Sequence, residues 1–115
     1  MAKLPDDILN TIFTLQRRLF EILNETTATE YIFMQQFGET EATLPELESL
    51  DNNIKERLRT SYNRLYRLLQ QVAESQPAAT ADTLNFLYGT IEDGEAIVDA
   101  SAASIQEIKM DWNLR

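Results

Sequence analysis

Histidine and cysteine are both missing from this 115-residue chain, and glycine and proline occur only three times each. Without cysteine there is no disulfide and no thiolate metal site. Without either residue the usual nucleophiles and general bases of enzymes are gone. Paired carboxylates could still act as acid and base, but they work in deep clefts with unlike surroundings. The Glu-x-x-His motif of carboxylate-bridged metal bundles cannot occur. The spaced acids of a calcium-binding loop and the glycine-rich phosphate loop are absent too. A non-enzymatic protein with no metal and no cofactor is therefore expected. No apolar run approaches the roughly 18 residues of a membrane span, and residues 1–7 lack the features of a signal peptide. These absences point to a cytoplasmic protein with no membrane contact.

The charge is one-sided: 19 acids face 10 bases, for a net −9. Nucleic acid and anionic lipid are disfavoured partners for such a surface unless the bases are segregated. Hydrophobic residues make up 43% of the chain, too many for overall disorder. The length suits a single domain spanning 1–115.

What the chain does have is an apolar stripe that keeps one phase for about eight helical turns. It runs Ile8, Ile12, Leu15, Leu19, Ile22, Thr26, Thr29, Phe33, Phe37 in steps of three or four, the spacing that stacks residues on one side of an α-helix. Pro5, Asp6 and Asp7 suit a helix start, and Gly38 suits its end. The stretch 24–29, NETTAT, is a weak spot by propensity. Thr27 with Glu30 even matches a capping box. Two readings follow: one helix over about 5–37, favoured by the preserved phase, or a break near 25–28.

A second stripe, Leu47, Leu50, Ile54, Leu58, Leu65, Leu68, Leu69, Val72, predicts a helix over about 44–74, with Thr43 as cap and Pro45 in the first turn. Pro77 stops it. A third, Leu84, Leu87, Tyr88, Ile91, Val98, Ala102, Ile105, Ile108, Trp112, predicts a helix over about 80–112. Gly89 and Gly94 lie inside it, each costing up to about 1 kcal/mol against alanine. Three helices of similar length with short connections imply an all-α, antiparallel up-down-up bundle of three long helices. A broken first helix would give an irregular four-helix bundle.

The first helix carries more apolar surface than one seam needs: Leu9, Phe13, Phe20, Tyr31 and Met34 form a second stripe beside the first. Either two neighbouring helices consume the wide arc, or it is a seam for a partner or a second copy, since large aromatics are common interface anchors. Half of the bases fall at Lys55, Arg57, Arg59, Arg64 and Arg67. Lys55, Arg59, Tyr62 and Tyr66 take one flank of the second helix; Arg57, Arg64 and Arg67 take the other. Bases late in a helix suit its dipole and can cover a seam; arginine beside tyrosine can also bind phosphate or stack on bases. Glu92, Glu95 and Asp99 share a face and read as solvated acids. Trp112 reads as an end-cap of the core.

The expected function is that of a small acidic adaptor or regulator that binds another protein and self-associates as a homodimer. Leu9, Phe13, Phe20 and Tyr31 would be the anchors, and Arg59, Tyr62 and Tyr66 would orient the partner. The alternative is a ligand-sensing bundle that seats a small molecule between helices near the small residues 89–104.

Overall fold

The computed structural model of the chain describes residues 6–75 and 80–114. Pro5 and Pro77, expected to open the first helix and stop the second, lie outside them. The described residues form three long helices and no strand. We label them α1 (Asp6–Phe37), α2 (residues 44–74) and α3 (Ala81–Asp111). Within α2, Leu44–Glu48 is α-helical, Ser49–Lys55 is wound as a π-helix, and Glu56–Glu74 is α-helical again. The all-α bundle expected from the three stripes is the architecture observed.

α1 does not break at NETTAT. Thr26 and Thr29 are fully buried in the stripe. Their hydroxyls donate to the carbonyls one turn back, Thr26 Oγ1 to Ile22 O at 2.7 Å and Thr29 Oγ1 to Glu25 O at 2.9 Å. A buried hydroxyl thus finds its acceptor without opening the helix. The capping box is not used: Thr27 donates to Leu23 O, and Glu30 accepts from Lys55.

Gly38 ends α1 with a φ of 71° and donates its N–H to Met34 O, the left-handed stop for which glycine is suited. Thr43 departs from its expected role. Its side chain makes no cap bond to α2. It is buried instead and donates to Gly38 O while accepting from Thr40 N, which ties the 38–43 turn to itself. Thr80 does cap α3, accepting from Thr83 N at 3.1 Å.

Two ion pairs join α1 and α3 in parallel, Arg18–Asp99 and Glu25–Lys109. α2 runs back between them, with Lys55 against Glu30. The core takes Ile12, Leu15, Leu19 and Phe33 from α1, Leu50, Ile54, Leu58, Leu65 and Val72 from α2, and Leu87, Ile91, Val98, Ile105 and Ile108 from α3. Trp112 closes one end of it. Its ring meets Phe33 edge-on at 4.8 Å and Phe37 at 5.2 Å, beside the turn after α1.

Tyr88, expected in the α3 stripe, is exposed. Thr90 and Gly94 take inward positions instead. At Gly94 all three helices pack together: a β-carbon there would lie 2.9 Å from Leu15 Cδ2 and 3.1 Å from Ser61 Oγ. No helix among the described residues is long and apolar enough to cross a membrane.

Candidate functional site: an aromatic face and an arginine groove

The second stripe of α1 stays outside the core. Phe13, Phe20 and Tyr31 are spaced by seven and eleven residues, which brings them within about 20° of one another at 3.6 residues per turn. Phe20 is 63% and Tyr31 64% exposed, with Phe13 and Met34 also open to solvent. The expected anchors therefore separate into two kinds. Leu9 is half-buried against the core, whereas the three rings have no cover.

α2 contributes to the same side of the molecule. Its Arg64, Leu68 and Gln71 line a groove with α3, so helical spacing turns Tyr62 and Tyr66 to the opposite flank, the one beside α1. Both are exposed. Arg59, on the same flank, is held by Glu56 at 3.0 Å. The Tyr31 hydroxyl accepts from Gln35 Nε2 at 3.0 Å. Five aromatic rings thus share one long face over the α1–α2 seam.

Most of the charge around the rings is paired, Asp6 at the start of α1 being an exception. Arg17 meets Glu21 at 2.9 Å, and Lys55 meets Asp51 at 3.0 Å and Glu30 at 3.2 Å. The Lys55 side chain is only 14% exposed. Burial pushes its ammonium pKa down, but hydrogen bonds and attraction from Asp51 and Glu30 outweigh that and raise it above the usual 10.5.

The opposite flank of α2 forms a groove of about 700 Å³ with the first half of α3, lined by Arg64, Arg67, Leu68, Phe86, Gly89 and their neighbours. It continues toward Arg57, Ser61 and Ile97, sharing Arg64, Thr90 and Asp93 with a smaller hollow of about 180 Å³. Phe86, 69% exposed, stands in its wall. The hydrophobic pattern does not single out Phe86, because Leu87 beside it satisfies the stripe. The available signal was Gly89, one turn on. Its missing side chain serves no contact among the described residues, since none of them lies within 4 Å of where a β-carbon would be. Gly89 opens outward onto the groove, and Gly94 is closed in by Leu15 and Ser61.

Glu92 and Glu95 are exposed, and Asp99 pairs with Arg18. Among the described residues no three acidic side chains converge as a metal site would require.

No family model matches the chain, and no characterised protein or solved structure is detectably similar to it.

Proposed function

We propose that this chain is a non-enzymatic interaction protein of the cytoplasm that works as a homodimer, closed over the aromatic face, and that the pair serves as an adaptor for another protein. The observation behind this reading is the set of five exposed rings on one flank, Phe13, Phe20, Tyr31, Tyr62 and Tyr66. At roughly 200 Å² per ring and about half exposed, they offer on the order of 500 Å² of apolar surface. That is most of the roughly 800 Å² each partner buries in a standard interface. Met34 and the stems of Arg17 and Arg59 extend it.

The occupant we assign is a second copy. A net charge of −9 opposes self-association, but most of that charge lies away from this face. α3, the helix farthest from it, has seven acids (Asp82, Glu92, Asp93, Glu95, Asp99, Glu107, Asp111) against one base, Lys109. Arg17, Lys55 and Arg59, the cations around the rings, are paired within the copy. Two copies facing each other over α1 and α2 place their α3 helices outermost.

Light scattering coupled to size exclusion, over a range of concentrations, tests this. A mass of twice the monomer is expected. Phe13→Asp with Phe20→Asp should return it to the monomer without loss of helicity. A wild-type mass that stays monomeric up to high micromolar concentration would rule the dimer out.

A further inference from the structure

We infer that the groove between α2 and α3 is a docking site for an amphipathic helix of a partner protein that presents acidic side chains along one flank.

Charge is the first ground. Arg17, Arg18, Lys55, Arg59 and Lys109 are each paired with a carboxylate. The other three cations among the described residues, Arg57, Arg64 and Arg67, have no acidic partner there. All three line this groove. In a chain with 19 acids and 10 bases, cations left unpaired are the exception, and here they are gathered on one wall.

Shape is the second ground. Gly89 faces the groove with open space above it. A glycine inside a helix costs about 1 kcal/mol against alanine, and no contact among the described residues needs this one. Its absent side chain lets another backbone approach α3 at that point. Phe86, one turn before it, supplies an exposed apolar anchor, and half-buried Leu68 supplies the floor. The groove follows α2 from Arg57 to Glu74, which is about 25 Å at 1.5 Å per residue. That length accommodates a helix of about 17 residues.

The remaining charges select the class of partner. Asp93 and Glu74 stand in the same groove, so a uniform polyanion such as single-stranded nucleic acid meets carboxylates as well as arginines. A peptide helix can place its acids over the α2 wall alone and turn small or apolar residues to Gly89 and Phe86.

This inference rests on reading the chain as an interaction protein, but not on the dimer, since the groove lies on the other flank of α2. The test uses the full chain and a fluorescein-labelled 18-residue peptide with leucines at helical spacing and glutamates along one flank, followed by anisotropy at low salt. Saturable binding at micromolar concentration is expected. Arg64→Glu with Arg67→Glu should weaken it at least tenfold. So should Gly89→Leu, which fills the groove without changing charge. Circular dichroism verifies that each variant keeps its helices. Phe13→Asp with Phe20→Asp should leave peptide binding unchanged even if it abolishes the dimer, which separates failure here from failure of the dimer. The inference is overturned by no binding at 1 mM peptide. It is equally overturned if a peptide with glutamine in place of glutamate binds as tightly, if both groove variants bind like wild type, or if an oligothymidylate binds these arginines more tightly than the peptide does.

Discussion

A β-carbon added to Gly94 would lie 2.9 Å from Leu15 Cδ2, inside the packed centre of the bundle. Leu15 is 2% exposed, so its methyl has little room to give way. Gly94→Ala is therefore expected to destabilise the fold by about 1–3 kcal/mol, the range for overpacking, despite alanine's better helix propensity. Gly89→Ala, which meets nothing within 4 Å, should stabilise it by about 0.5–1 kcal/mol. Urea unfolding followed at 222 nm gives both signs. Equal effects at the two sites would contradict the packing difference between them.

Ser61 poses the opposite problem. It is 4% exposed, and its Oγ has no hydrogen-bond partner among the described residues. A buried polar atom without a partner costs about 1–3 kcal/mol. Ser61→Ala is expected to raise the unfolding midpoint. Because Ser61 Oγ also lies 3.1 Å from a β-carbon on Gly94, Ser61→Ala and Gly94→Ala should couple. The double variant should lose less than the sum of the two single effects.

Lys55 gives the fold a specific response to alkali. Its pKa is raised in the folded state, so the folded protein holds this proton more tightly than the unfolded chain does. The contribution is fully present below the unfolded value near 10.5 and is lost as pH rises through the higher folded value. Lys55→Met should lower the thermal midpoint at pH 8. Its difference from wild type should shrink above pH 10.5. A difference that stays constant through that window would remove Lys55 as the cause.

Trp112 is the single tryptophan and packs on Phe33 and Phe37. Trp112→Ala should cost about 2–3 kcal/mol, somewhat below the usual range for a fully buried tryptophan, because the ring is only half-buried. In wild type its fluorescence should report the closing of α1 against α3. A tryptophan transition well below the circular dichroism transition would mean that this end opens first.

The stripes made the three helices legible, because apolar steps of three and four residues match the helical period of 3.6 and not the strand period of two. Continuity of α1 was harder to read. Propensity treats Thr26 and Thr29 as helix-weakening, and only tertiary burial shows that their hydroxyls bond back to Ile22 and Glu25. Tyr88 was misplaced for a simpler reason: a step of four from Leu84 reaches Tyr88, a step of three reaches Leu87, and both fit the pattern. Gly94 looked like a cost to the helix and is a close contact. The π-helical turn Ser49–Lys55 has no signal in the sequence, and nothing in the structure explains it. The aromatic arc was visible as an excess. Whether α2 or α3 would cover it depends on the side of α1 to which each neighbour packs, and a hydrophobic pattern does not fix that.

The bundle measures 56 × 22 × 17 Å, with a radius of gyration of 17.3 Å, against about 13 Å for a compact domain of this length. A rod of these proportions turns end over end much more slowly than it spins about its long axis. It drags solvent like a heavier sphere. On a calibrated column a single copy will elute somewhat early, where a globular protein of greater mass would, so an elution volume alone overstates its mass. Mass has to come from scattered light, and the two rotational correlation times offer an independent check. Side-by-side pairing through α1 and α2 thickens the rod without lengthening it, so the anisotropy of tumbling should fall as mass doubles.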